Sequence, residues 1–270
     1  MVRPTGRHAR RGLPGVHHEG RSGVRTLALL TWFHGRQLLR IPFFAHQCVS
    51  SALVFEVLRT LGLSGAGRAV PHDLWLVAGI AGVWSTTTLA VGIIGFQRFQ
   101  GTLEHMAIST LPPGIVFGSL ASAAALIGLV GFPLTLAAQF VTGGHPTVTG
   151  GSVVVIAACV IACSASASVL AAVFVVLRGA TVYESLIVTP VWLVSGVVIP
   201  LGALPDWIVP VAHLFPITSA VSAADQPDLT TTVAFSFLTA ATSAVWFVAA
   251  GIAMRAAVRR ATISGTLGLS

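Results

Sequence analysis

An all-α integral membrane fold with six transmembrane helices is what this sequence predicts, and three observations carry the prediction. Of 270 residues, 54% are apolar and 9% charged, against roughly 25% charged in ordinary soluble domains, and mean hydropathy is +0.88. The apolar residues gather into six stretches near the roughly 20 residues that a bilayer-crossing helix needs. The 15 basic residues, all Arg with no Lys, collect at the two ends and in short intervening stretches.

Along the chain, residues 1–24 predict a flexible cytosolic tail, because Pro, Gly and Arg alternate there without apolar periodicity. His8, His17 and His18 read as solvated on it rather than as a metal site. A cleaved leader is not expected, since TLALLTWFHG is too short before Arg36 and no small-residue cleavage site follows. In residues 25–40, Arg25, Arg36 and Arg40 fall in one narrow arc, while Leu27, Ala28, Trp32, Leu38 and Leu39 occupy much of the opposite side. This predicts a helix lying in the cytosolic interface, although Leu29 and Phe33 share the Arg arc.

The spans are expected at 41–62, 74–96, 114–138, 152–177, 184–204 and 231–254, within one domain from 25 to 260 and followed by a cytosolic tail at 261–270. Glu56 and Arg59 stand three apart on the first span, so they can pair with each other. Gly114 and Gly118 form GxxxG, and Ser164, Ala167, Ser168 and Ala171 recur at three and four, which lets helix backbones approach closely. Cys48, Cys159 and Cys163 all lie in apolar stretches, and an odd number makes no disulfide framework. With both termini inside, most Arg residues are cytosolic and only Arg59 and Arg68 fall outside, as the positive-inside rule requires. The same rule explains the basic tails without nucleic acid, for which no reading motif is present.

Between spans two and three, QRFQGTLEHMAISTLPP is long for a plain turn. Gly101 can break or begin a helix, Thr102 can cap a short one over LEHMAIST, and Pro112-Pro113 stop it. Glu104 sits in the first turn, where the helix dipole favours an acid. Arg98, Glu104 and His105 would then project, with Leu103, Met106 and Ile108 available for packing.

After span five, Pro200, Pro205, Pro210 and Pro216 cannot all lie inside one continuous spanning helix, yet the residues between them are apolar. Short re-entrant helices in the outer leaflet, with Trp207 at the interface, satisfy both facts.

These two segments resemble the type 2 ABC permeases, the membrane subunits of bacterial drug and polysaccharide exporters. The first is similar to their cytosolic coupling segment, with Arg98, Gly101, Thr102, Leu103 and Glu104 in register and Pro112 near the expected proline. Gln97 stands where the family usually has an acid, and HMAIST replaces a more leucine-rich run. The second, residues 183–223, matches the family's fifth span and following loop at Pro190, Ser195, Gly196, Pro200, Leu204, Pro205, Trp207 and Pro216.

The resemblance implies a half-transporter in the bacterial cytoplasmic membrane, working by alternating access with a second permease subunit and a separate P-loop ATPase. That ATPase would bind ATP and Mg, with no cofactor in this chain. It implies coupling through Arg98, Gly101, Thr102, Leu103, Glu104, His105 and Met106. It also implies an outer gate at Ser195, Gly196, Pro200, Pro205, Trp207 and Pro216. A GxxxxGK[ST] loop is lacking, and without Lys the P-loop lysine is impossible.

A path with few charges favours a hydrophobic or amphipathic cargo such as an antibiotic, drug or lipid-like metabolite, with Phe117, Trp192 and Phe235 as candidate lining. The alternatives are an ion-coupled secondary transporter and an integral membrane enzyme. Glu56, Glu184, His46 and His213 would have to serve the enzyme, and they show no recognisable catalytic spacing.

Overall fold

The computed structural model describes residues 19–99, 102–107, 109–177 and 180–264. All regular structure in it is helical. Helix α1 is Glu19–Leu39, α2 Pro42–Gly65, α3 Leu74–Phe99 and α4 Thr102–Ala107. Helices α5, Pro113–Gly128, and α6, Gly131–Val141, precede α7, Gly150–Val176, and α8, Ala180–Val194. Two short helices, α9 at Val209–Ala212 and α10 at Pro216–Ala224, lead to α11, Leu229–Ile263.

Local chemistry sets these starts. Pro42, Pro113 and Pro216 each stand at the beginning of a helix, where the missing N–H leaves nothing unpaired. Thr149 and Ser152 form a reciprocal capping box at α7. Asp228 caps α11, accepting from the Thr231 backbone N–H at 2.7 Å and from the Thr231 hydroxyl. These two bonds, hydroxyl first, hold the Asp228 carboxyl below the usual carboxylate range.

Among the described residues, α2, α3, the α5–α6 pair, α7 and α11 are long and apolar enough to cross a membrane. The stretch expected as a third span is two helices rather than one. Pro133 gives no N–H to the preceding turn, and its ring clashes there, so the helix breaks at Leu129 and Val130.

The stretch expected as a fifth span, 184–204, also departs from a single helix. Helix α8 has 15 residues, about 22 Å of rise, short of the roughly 30 Å hydrocarbon core. Gly196, at φ +85°, takes the left-handed conformation that commonly closes a helix, and the chain bends through 195–199.

At the ends, α1 begins at Glu19, inside the stretch expected to be tail, and α11 runs to Ile263. Residues 1–18, with His8, His17 and His18, lie outside the described residues.

The core sits where α3, α5, α7 and α10 meet, with Trp84, Ile80, Ile94, Phe117, Phe174 and Ile217 wholly enclosed. Small residues set the spacing of the helices. A Cβ on Gly128 would stand 2.8 Å from the Val83 Cα, so α5 and α3 touch backbone to backbone there. In contrast, α2 and α11 are mostly exposed, as expected of surfaces that meet lipid or another subunit.

Helix α1 packs along α5, with Gly35 opposite Ala123 and Ile127, and buries Leu38. Most of its expected apolar side stays uncovered, Trp32 being 75% exposed. Protein contact is made instead through the face carrying Leu30, Thr31, His34 and Leu38.

A buried polar clasp fixes the end of the bundle where α3 begins. Gln139 of α6 is enclosed; its Oε1 accepts from the Trp75 N–H at 3.0 Å and its Nε2 donates to the Pro71 carbonyl at 2.7 Å. The Thr135 hydroxyl donates to the Trp75 carbonyl at 2.8 Å, and the Trp75 indole to the Thr147 carbonyl at 3.1 Å. The clasp satisfies an orphan N–H at the start of α3 and locks α3 to α6.

Candidate functional site

Helix α4 is a six-residue element between α3 and α5, and it packs against both. Leu103 is 0% exposed and belongs to the main core, Met106 is half-buried against that core, and His105 is exposed. Thr102 is the first helical residue and the helix ends at Ala107, shorter than the expected LEHMAIST. The chain then turns, Leu111 donating its N–H to the Ser109 hydroxyl at 3.2 Å, and Pro112-Pro113 start α5. Gly101 and Ile108 lie outside the described residues, as do the side chains of Arg98, Thr102 and Glu104.

The outer candidate segment begins in α8, which contains Pro190. The Ser195 N–H donates to the Val191 carbonyl at 3.0 Å and its hydroxyl to the Trp192 carbonyl at 3.3 Å. Gly196 is buried; a Cβ there would stand 3.3 Å from both the Leu201 and Val221 side chains. Pro200 precedes one turn of 3₁₀ helix, Leu201–Ala203, and the Pro205 carbonyl accepts from the Ile208 N–H at 2.8 Å. Trp207 is 76% exposed.

Pro216 opens α10, every residue of which is buried. The loop before it is pinned to α11: the Trp246 indole donates to the Leu214 carbonyl at 2.9 Å, and the Phe215 and Trp246 rings lie 5.5 Å apart.

Arg59 joins α2 to this segment, because its Nη1 donates to the Val197 carbonyl at 2.8 Å. The expected Glu56–Arg59 pairing is therefore one of charge, with no hydrogen bond between the two side chains. Spacing on one helix face permits the pair, but a carbonyl 138 residues away takes the guanidinium hydrogen bond. Glu56 is 0% exposed, and neither carboxylate oxygen has a hydrogen-bond partner. Glu184 of α8 places its carboxylate against Gly92 of α3, whose Cβ would be 2.7 Å from Oε2.

Of the three candidate path residues, Phe117 is 1% exposed within the main core, and Trp192 and Phe235 pack half-buried against that core. Trp192 stacks at 6.1 Å on Phe55 of α2, and Phe235 belongs to α11.

A 640 Å³ cleft opens between the starts of α3, α7 and α11, lined by His72, Asp73, Thr149, Asp225 and Asp228 among others. Partial burial pushes the Asp225 carboxyl up to about 6, the Asp73 charge adds to this, and Arg59 opposes it. A carboxyl raised in the fold favours the folded state when protonated. This contribution is complete below the ordinary value of 3.8 and lost as pH rises to about 6. Asp225→Asn is therefore expected to flatten the pH dependence of thermal melting between those values. A profile as steep as that of the unaltered protein counts against the assignment.

A family model described as ABC-2 type transporter matches residues 26–227 of this chain. The chain belongs to the ABC-2 type transporter family. It is therefore a membrane-spanning permease subunit of an ABC transporter. The match takes in α4 and the whole of residues 183–223, and it ends just before α11. No curated protein matches the sequence. Members of this family are transport components that typically work with an ATPase subunit.

Sequence reasoning missed two of the side chains that shape this ABC-2 bundle, Gln139 and Trp246, and the partner of a third, Arg59. Gln139 carried a usable signal, since an amide inside an apolar run asks for partners. The Arg59–Val197 and Trp246–Leu214 ties join distant segments and leave no local pattern.

Proposed function

We propose that this permease is half of an ATP-driven exporter of the bacterial cytoplasmic membrane, with both termini cytosolic and α4 as the handle gripped by a separate P-loop ATPase. The observation that carries the reading is the placement of α4. It is a short helix between two membrane-crossing elements, anchored by the enclosed Leu103 while His105 remains exposed. Buried on one side and presented on the other, such an element transmits motion between a docked partner and α3 and α5.

In this proposal residues 25–260 form one permease domain between cytosolic tails at 1–24 and 261–270. Helix α1, expected to lie in the interface, instead runs alongside α5 from its cytosolic end, its uncovered Trp32 and Leu39 turned to lipid. A second permease subunit, identical or related, completes the path. The partner ATPase binds ATP and Mg, and the segment from Ser195 to Pro216 dips into the outer leaflet and gates the exit. The scarcity of charge along the helices supports a hydrophobic or amphipathic cargo, such as an antibiotic, drug or lipid-like metabolite, and hence a role in multidrug efflux. Coupling requires that the ATPase contact α4 differently in its ATP-bound and free states.

The test is purification in mild detergent with mass spectrometry of the proteins retained, repeated with Glu104→Arg. A P-loop ATPase retained by the unaltered chain and lost from the variant is the expected result. An intact, monodisperse chain that retains no ATPase overturns the exporter reading, and equal retention by both overturns the role of Glu104.

A further inference from the structure

A groove of 460 Å³ runs between α5 and α11, with Leu27 of α1 at its side. One wall is Gly114 and Gly118; the other is Phe247, Gly251 and Arg255, one residue per turn over about 12 Å. The helices nearly touch at one level, where a Cβ on Gly114 would lie 3.6 Å from the Gly251 Cα. Yet a Cβ on Gly251 itself would meet nothing within 4 Å, so its side of the groove is open.

Arg255 is exposed at the end of the groove where Pro112 lies. Neither α5 nor α11 contains an acidic residue to neutralise it. Apart from Ser122 and Ser168 the groove is apolar along its length, it is positively charged at one mouth, and it lies between helices long and apolar enough to cross the bilayer. Its length is close to that of one leaflet's hydrocarbon, roughly half of 30 Å.

We propose that this groove holds one anionic phospholipid, an acyl chain lying along Gly118 and Gly251 and the phosphate at Arg255. A free phosphate would satisfy the Arg and leave the apolar walls empty. A neutral lipid would fill the walls and forgo the charge. The lipid fills the gap between α5 and α11, where the flanking glycines leave no side chains to do so. The proposal rests on the membrane reading of the chain, with Arg255 at the inner leaflet where anionic lipid is available. It needs neither ATP nor a partner, so its failure leaves the transport reading standing.

Native mass spectrometry of the full chain, offered phosphatidylglycerol and phosphatidylcholine of equal chain length, tests it. One phosphatidylglycerol is expected to remain per chain, preferred about fivefold over phosphatidylcholine. Arg255→Gln should abolish the preference while still retaining lipid. Gly251→Leu places its side chain in the open groove and should release both lipids, with thermal melting run alongside to show that the variant is folded. Equal retention of the two lipids by the unaltered chain overturns the proposal. So does unchanged retention by Gly251→Leu, or displacement of the lipid by inorganic phosphate. Should Gly251→Leu fail to fold, the Arg255→Gln comparison decides the outcome alone.

Discussion

Gly128→Leu is expected to abolish the stable fold of this permease, while Gly62→Leu leaves it intact. Both glycines lie within helices, so backbone freedom does not separate them. Space does. A Cβ at Gly128 would sit 2.8 Å from the Val83 Cα and 3.3 Å from two Val83 side-chain carbons. The nearest obstruction is backbone, which no rotamer change can clear, so α5 must move away from α3 and open the core around Trp84 and Phe117.

Overpacking of this kind costs about 1–3 kcal/mol when side chains can yield, and about 3 kcal/mol or more is expected here because backbone must yield. At Gly62 a Cβ meets nothing within 4 Å, and leaving glycine in a helix gains up to about 1 kcal/mol. Thermal melting in detergent, with size-exclusion profiles, checks the pair. Equal melting of the two variants would show that the α3–α5 contact does not limit stability.

The second large effect has the opposite sign. Glu56→Met is expected to raise the stability of the chain by about 2 kcal/mol and to lower its transport activity. Glu56 is enclosed with no geometrically sound hydrogen bond to either oxygen, the Thr60 hydroxyl one turn along is likewise unsatisfied, and Arg59, its Nη1 engaged with Val197, reaches Glu56 through its charge alone. A buried polar group without partners costs about 1–3 kcal/mol, and more when charged. Methionine fills similar space without that demand. A costly acid in a membrane helix is a group to test for function, and the expected trade is stability gained against activity lost. A variant that melts lower than the unaltered chain would mean that the carboxyl has a stabilising partner after all.

Most of the helices were legible because apolar runs and proline positions are one-dimensional signals. Pro112-Pro113 marked the start of α5, and the GTLE run marked α4. Prolines 200 and 216 marked the breaks flanking the outer segment. Two errors share a cause: hydropathy measures side chains and is blind to the backbone. It read VVIPLGAL as the end of a span although Gly196 had already turned the chain, and in the third run, which is long and apolar enough to cross as expected, it passed over the helix break before Pro133. The partner of Arg59 was illegible for another reason. A carbonyl acceptor belongs to every residue, so nothing in the identity of Val197 advertises it. The emptiness around Glu56 was equally hidden, because a missing partner is a property of packing.

The bond from Trp246 to Leu214 sits near the midpoint of α11, which runs from Leu229 to Ile263. Each half of that helix is about 26 Å long, so the pin divides a stiff rod into two equal arms. Any tilt of the rod about the pin swings its ends by equal distances in opposite directions, about 2 Å each for a tilt of roughly 5°. Helix α11 is geometrically a seesaw whose fulcrum is a single indole.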